Sequence, residues 1–159
     1  MKKIMLMLAL CAMAMGLAAC GDDDEPQVIN VKDGVIESVE AQVTDTHYEF
    51  ELNEAAGTGN ITVHNIVFTI GDRQSPALII RIPNAKFTRT RNIVTFNDTD
   101  IAPEMLRGTN FVPMGDPLYN VTDLNSVIDL DKKTFSISFK CHGGDFSHNG
   151  NIKYNDSVN

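Results

Sequence analysis

A seven-residue stretch decides the fold class: Phe135-Ser136-Ile137-Ser138-Phe139-Lys140-Cys141. Apolar and polar side chains alternate along it without interruption, which is the pattern of a β-strand with one buried face. Gly143-Gly144 follows almost at once, and consecutive glycines favour a two-residue hairpin turn because both central positions need a positive φ. We therefore predict a β-hairpin with Cys141 opposite Phe146 and His148 opposite Phe139.

The same period-two pattern extends toward the N-terminus. Two earlier strands show it, with apolar positions at Tyr48, Phe50 and Leu52 in the first and at Leu78, Ile80 and Ile82 in the second, which Pro83 closes. Residues 87–96 are predicted to form one further strand. The apolar positions change parity between Val63 and Ile66, and a β-bulge at His64-Asn65 would explain the change by inserting one extra residue.

The chain as a whole predicts an all-β domain of about eight short antiparallel strands joined mainly by hairpins. One short helix is predicted at Thr99–Gly108, where Pro103 limits it to one or two turns. An open meander of this length would leave two strand edges exposed to aggregation. We therefore expect a closed up-and-down β-barrel, with a β-sandwich as the alternative.

The N-terminus has the three parts of a bacterial export signal. Lys2 and Lys3 precede an apolar run, and Leu17-Ala18-Ala19-Cys20 matches the lipobox of bacterial lipoproteins. The 16 uncharged residues before Cys20 fall short of the roughly 18 needed to span a bilayer. Three segments are predicted: a signal peptide at 1–19, an acylated Cys20 with its tether at 20–30, and one barrel domain at 31–159.

An acidic run directly follows the predicted lipidation site, at Asp22, Asp23, Asp24 and Glu25. Four adjacent carboxylates cannot be buried, so they form part of a solvated tether. Their position after Cys20 also resembles the export signal of Bacteroidetes lipoproteins that reach the outer face of the outer membrane. We expect lipid-anchored display at the cell surface, with the periplasmic leaflet as the alternative.

Charge and cysteine content exclude several partners. The whole chain has a formal net charge of −8, and the loss of Lys2 and Lys3 with the signal makes it more negative, which disfavours nucleic acid. Cys11 leaves with the signal and Cys20 carries lipid, so Cys141 is the one thiol of the predicted domain. An intramolecular disulfide is therefore excluded, and the core alone must hold the domain together.

Three stretches of the predicted domain resemble the calycin-like, or lipocalin-like, surface lipoproteins of Bacteroidetes. They are GNITVHNIVF at 59–68, YNVTDL at 119–124 and FSISFKC at 135–141. The resemblance covers most of the predicted mature chain as a pattern of strands. It implies a small barrel of unassigned activity, and it assigns no site residues.

Potential catalytic and metal-binding residues have simpler structural explanations. Alternation places Cys141 on the apolar face and His142 on the other, so the two cannot share a metal, and a buried structural cysteine is predicted. His47 and His64 have no partner at ligand spacing and are interpreted as surface or bulge residues. A second group consists of Asp98, Asp100 and Glu104, which lack an EF-hand pattern, and capping of the short helix by Asp98 or Thr99 is the simpler explanation.

The sequence predicts a non-enzymatic, lipid-anchored barrel that binds a small apolar ligand or an envelope partner, without catalytic residues, metal or cofactor. A structural or adhesive surface component, such as a fimbria-associated sandwich, is the alternative, and a hydrolase with an unrecognised site comes third. An apolar cavity of about 300 Å³ or more would favour ligand binding. A filled core with an exposed edge strand would favour assembly.

The lipobox interpretation predicts the behaviour of Cys20→Ala. Without the thiol the chain cannot be acylated, so the protein should either leave the membrane fraction or remain uncleaved. Fractionation of cell envelopes with detection of precursor and mature forms measures both results. Normal processing together with continued membrane attachment would contradict lipidation at Cys20.

Overall fold

The computed structural model describes the backbone of residues 27–38 and 42–154 and the side chains of residues 46–153. The predicted signal peptide at 1–19, the lipidation site Cys20 and the acidic run at 22–25 lie outside the described residues. Within the part that is described, no helix is both long enough and apolar enough to cross a membrane.

The described residues form twelve β-strands and one 3₁₀ helix, which spans Pro117–Tyr119. In chain order the strands are β1 (Gln27–Ser38), β2 (Gln42–Asn53), β3 (Thr58–Ile66), β4 (Thr69–Ile70), β5 (Arg73–Gln74), β6 (Leu78–Thr90), β7 (Ile93–Asp98), β8 (Glu104–Arg107), β9 (Asn110–Pro113), β10 (Thr122–Asp129), β11 (Thr134–Cys141) and β12 (Gly144–Tyr154). β1 begins at Gln27, so residues 27–30, assigned from the sequence to the tether, pair with β2.

Eight of these strands close into a ring of antiparallel pairs. The ring runs β1, β2, β3, β6, β7, β10, β11, β12 and returns from β12 to β1. Apart from the closing pair of β12 with β1, the neighbours in the ring are successive strands of the chain. The small hairpin β4–β5 lies in the connection from β3 to β6, and the hairpin β8–β9 lies in the connection from β7 to β10. This up-and-down barrel confirms the predicted fold class, and the sandwich alternative does not describe it.

The predicted β-bulge in β3 is confirmed. Val63 pairs with Ile80 and Ile66 pairs with Leu78, so β3 contains one more residue than β6 over this interval. Asn65 accommodates the extra residue with a φ of 61°, a left-handed conformation that asparagine tolerates better than most residues. Val63 and Ile66 can therefore both face the core.

Two predictions about the strands near β6 are wrong. Pro83 does not end the strand, because the β3–β6 register shifts at this point and proline is tolerated at bulges. Residues 87–96 form the end of β6 and the start of β7, joined by a tight turn in which Arg91 has a φ of 56°. The turn reverses the chain, so residues on the two sides of Arg91 belong to different strands.

The helix predicted at Thr99–Gly108 is also wrong. Residues 104–107 form β8, which pairs with β6 at Ile80 and Arg81. β7 pairs with β6 only over residues 87–90. The earlier residues of β6 therefore need another strand on that side to form their backbone hydrogen bonds. The one short helix of the described residues is instead the 3₁₀ turn at Pro117–Tyr119, capped by Asp116.

The β11–β12 hairpin is confirmed, but its predicted register is wrong by two residues. Cys141 pairs with Gly144 and Phe139 with Phe146. The two turn residues are His142 and Gly143, with φ values of 50° and 75°, so the turn lies one residue earlier than the double glycine suggested. The shift preserves which side chains face inward, because each partner moves by two residues along the strand.

Large side chains fill the interior of the barrel. Seven phenylalanine and tyrosine residues are at most 3% exposed: Tyr48, Phe50, Phe68, Phe96, Phe135, Phe139 and Phe146. The rings of Tyr48 and Phe135, on opposite sides of β1 and β12 in the ring, have centroids 5.6 Å apart, and Phe50 lies 6.0 Å from Phe96. An eight-stranded barrel is just wide enough for side chains to occupy it in this way.

The two ends of the barrel differ. One end has the short turns at 54–57, 91–92 and 130–133, together with the start of β1 and the end of β12. The other end has the long connections at 67–77 and 99–121, with their small hairpins and the 3₁₀ helix. We call these the turn end and the mouth, and long connections are where recognition residues concentrate.

Gly150 is predicted to be essential for packing. It lies opposite Phe135, and a Cβ atom at this position would meet Cε1 of that ring at 2.6 Å. Because Phe135 is only 3% exposed and surrounded by other rings, Gly150→Ala should lower the unfolding free energy by about 1–3 kcal/mol. Chemical denaturation measures the change.

The matched control for this prediction is Asn151→Ala, on the adjacent exposed position. We expect its unfolding free energy to stay within about 0.5 kcal/mol of wild type. Equal stability of the two variants would show that the space above Gly150 can accept a methyl group.

Candidate functional site

A cleft of about 280 Å³ opens at the mouth of the barrel. It lies between the chain that leaves β3 and the β11–β12 turn, and it is lined by residues 67–71, residues 141–144 and Phe146. Phe68 and Phe146 form its apolar floor, with ring centroids 5.8 Å apart, and Ile70 is 49% exposed at its edge. The volume lies below the roughly 300 Å³ of pockets that hold small organic molecules, and most of the accessible lining is polar, so the cleft is a small open depression and not the apolar cavity of the sequence criterion.

His142 supplies a polar group to this cleft. Its backbone N–H donates to the carbonyl of Leu118 at 3.0 Å, and its ring centroid lies 4.5 Å from that of Tyr119. These contacts hold the imidazole against the 3₁₀ helix. The Nδ1 atom of His142 is buried and makes no hydrogen bond, so a ligand with a hydrogen-bonding group could satisfy it.

Cys141 is a buried structural residue, as the sequence predicted. Its Sγ donates to the carbonyl of Tyr119 at 3.0 Å, and burial raises the pKa of the thiol to about 12. His148 is not its partner, because it pairs with Ile137, about 13 Å along the strand from Gly144 at 3.3 Å per residue. A protonated thiol without a neighbouring base is a poor nucleophile.

A second site lies on the outer wall, where His47 and His64 face each other across β2 and β3. Their rings stack with centroids 3.8 Å apart and an interplanar angle of 14°. Glu49 Oε1 lies 3.3 Å from Nε2 of His64 and 3.9 Å from Nε2 of His47. We call His47, Glu49 and His64 the histidine–glutamate cluster.

The bulge in β3 borders this cluster and helps to position it. Asn65, the bulge residue, follows His64 directly, and its carbonyl accepts a hydrogen bond from Thr46 Oγ1 at 3.4 Å. Thr46 itself precedes His47 and is almost fully buried. The hydrogen bond therefore ties the ends of β2 and β3 together beside the two histidines, and bulges commonly redirect side chains next to functional sites.

His47 and His64 lie on the outer wall beside the β3 bulge, as predicted, but the prediction that neither has a partner is wrong. They lie 17 positions apart in the chain but are direct cross-strand partners. The signal that could have found them is the β2–β3 loop at residues 54–57, because a hairpin centred there pairs these two positions. Gly57 and Gly59 lie at or beyond the end of this loop, and a turn centred on them would separate the two histidines.

The acidic residues near position 100 do not form a common site. Asp98 accepts hydrogen bonds from the backbone N–H groups of Lys86 and Thr99. Asp100 accepts from Asn120, and Glu104 pairs with Arg81. Each carboxylate is thus engaged by a different partner, but none caps a helix, because residues 104–107 are a strand.

Comparisons with known proteins identify no relative. No family model, no curated protein and no solved structure matches this chain. The resemblance to calycin-like lipoproteins therefore stays a prediction from the strand pattern. The mouth cleft and the histidine–glutamate cluster carry the structural evidence on function.

The high pKa of Cys141 predicts an unreactive thiol. A rise from 9.0 to about 12 lowers the thiolate fraction at pH 8 about a thousandfold, and the thiolate is the reacting species. In a chain with Cys11→Ala and Cys20→Ala, where Cys141 is the sole thiol, reaction with a disulfide dye should be at least a hundredfold slower in buffer than in 8 M urea, a routine denaturant concentration. Similar rates in both conditions would show that Cys141 is accessible in the folded barrel.

Proposed function

We propose that this protein is a lipid-anchored, non-enzymatic β-barrel of the bacterial outer membrane that binds a small ligand at its mouth. The observation that carries the proposal is the position of the cleft. It opens at the mouth, formed by residues 67–71 and the β11–β12 turn, whereas β1 begins at the turn end. The ligand site is therefore as far as the fold allows from the predicted anchor.

The length of the tether supports this orientation. Gln27 begins β1 seven residues after Cys20, a distance of at most about 25 Å for an extended chain. Gln27 pairs with Leu52, next to the turn at 54–57. If Cys20 is acylated, the turn end stays close to the bilayer and the mouth faces away from it.

The filled interior determines where the ligand can bind. Phe50, Phe96 and Phe139 occupy the space in which a hollow barrel would hold an apolar molecule. The mouth cleft combines the apolar surfaces of Phe68 and Ile70 with the imidazole of His142. Polar atoms form most of the accessible lining, and Phe68 is almost fully buried, so the ligand class that fits is a small molecule with hydrogen-bonding groups and a limited apolar part.

Localisation and family belong to the same proposal. The lipobox ending at Cys20 supports membrane attachment, and the acidic run at 22–25 supports transfer to the cell surface. The sequence pattern at 59–68 and 135–141 supports membership of the calycin-like lipoproteins. An up-and-down barrel of eight strands agrees with that family assignment.

A structural or adhesive component is the second candidate, and β9 favours it. This strand pairs with β8 alone among the described strands, so its outer edge is available for another strand. Val112 on β9 is 40% exposed. Unpaired edges can template association, although β9 has only four residues and ends at Pro113.

Binding of anilinonaphthalene sulfonate, an apolar dye with one anionic group, tests the mouth site. At about 0.3 kcal/mol per heavy atom, a dye of this size should bind with a dissociation constant on the order of 10–100 μM. His142→Asn should weaken binding at least fivefold, because it removes the imidazole while asparagine accepts the positive φ of the turn. Dye fluorescence measures the affinity.

The matched control is His64→Asn, which removes an imidazole from the outer wall and should leave dye binding unchanged. Equal affinity in wild type and His142→Asn would contradict a ligand site at the mouth. Absence of dye binding together with concentration-dependent association, measured by light scattering, would favour the assembly candidate.

A further inference from the structure

The histidine–glutamate cluster brings together three side chains with metal-ligating atoms. Within the part of the chain that the structure describes, it is the one group of at least three His, Cys, Asp or Glu residues whose ligand atoms all lie within 4.8 Å of one another. Two imidazoles and one carboxylate are the protein ligands of a common class of zinc site, which leaves a fourth position open.

The distances within the cluster are close to those of a coordination shell. Ligand bonds of about 2.0–2.1 Å in a tetrahedron place neighbouring ligand atoms about 3.3 Å apart. Glu49 Oε1 lies 3.3 Å from Nε2 of His64 and 3.9 Å from Nε2 of His47. The two rings are nearly parallel, so coordination of one ion by both requires a rotation of the imidazoles.

The environment of His64 points to a missing ligand. Its Nε2 is buried and makes no hydrogen bond, although Glu49 is near. Leaving a buried nitrogen without a hydrogen bond is unfavourable, because its interaction with water is lost. A cation held between this nitrogen and the carboxylate would compensate for that cost.

Among the side chains that the structure describes, Arg81 does not compete for Glu49. In the row of cross-strand partners on the outer wall, Glu49 pairs with Thr62 and Thr62 pairs with Arg81. Arg81 forms an ion pair with Glu104 and lies over the ring of Phe111 at 4.2 Å. Its guanidinium is therefore engaged on the side away from the cluster.

From this geometry we infer that His47, Glu49 and His64 bind a divalent transition-metal ion, zinc, on the outer wall of the barrel. Two imidazoles favour zinc over calcium or magnesium, which prefer oxygen ligands. The side chains are 20–35% exposed, so solvent reaches the edge of the cluster although Nε2 of His64 is itself buried. The bound ion would also link β2 to β3 beside the bulge.

Titration of the purified, chelator-treated full chain with zinc chloride tests the site. Calorimetry should show one zinc ion per chain with a micromolar or lower dissociation constant. His47→Gln, Glu49→Gln and His64→Gln should each weaken binding at least tenfold, and circular dichroism should show the same barrel in each variant. His142→Asn is the matched control and should bind zinc as wild type does.

Cobalt provides a measurement that does not depend on substitutions. Cobalt(II) bound to the wild-type chain should give visible d–d absorption, which added zinc should abolish. Absence of this absorption, absence of zinc binding, or equal zinc affinity in wild type and all three cluster variants would overturn the inference. Because the dye site depends on His142 and the zinc site does not, each proposal can fail without the other.

Discussion

The fold depends on the pairing of β1 with β12, the first and last described strands. Ile29 lies opposite Tyr154 and Ser38 opposite Phe146, so this ladder converts a meander of hairpins into a ring. Without it, two strands would present unpaired backbone groups to solvent, and the interior would open along that seam. Closure also limits the width of the interior. Because eight strands enclose only enough space for side chains, the aromatic residues that fill it leave recognition to the mouth and the outer wall.

Local sequence pattern predicts much of this architecture. The alternation from Phe135 to Cys141 corresponds to strand β11. The parity change after Val63 corresponds to the bulge in β3. These features are decided within a few residues, by side-chain period and backbone preference. The segment at 104–107 was assigned incorrectly because its conformation depends on a distant partner, the uncovered edge of β6 at Ile80 and Arg81. Spacing within a short segment carries no information about that edge.

The candidate sites could be predicted only in part, for a related reason. Burial of Cys141 follows from its place in an alternating strand, and the structure confirms it. The pairing of His47 with His64 requires the β2–β3 register, which changes with every residue by which the turn is displaced. Prediction of the mouth cleft requires still more information, because residues 67–71 meet the β11–β12 turn only after the ring has closed. A site built from several strands can therefore be predicted only when the strand topology is known.

The ring arrangement means that the barrel has no intrinsic first strand. β1 and β12 are hydrogen-bonded neighbours whose outer ends both lie at the turn end, as close as any two strands that a turn connects. A short linker between them, combined with a new break in the exposed loop at Ala55 and Ala56, would leave every ladder intact. Circular permutation of this kind is tolerated where termini are adjacent and the break is exposed. The order in which the chain visits the strands is thus one of several that the same closed sheet can accommodate.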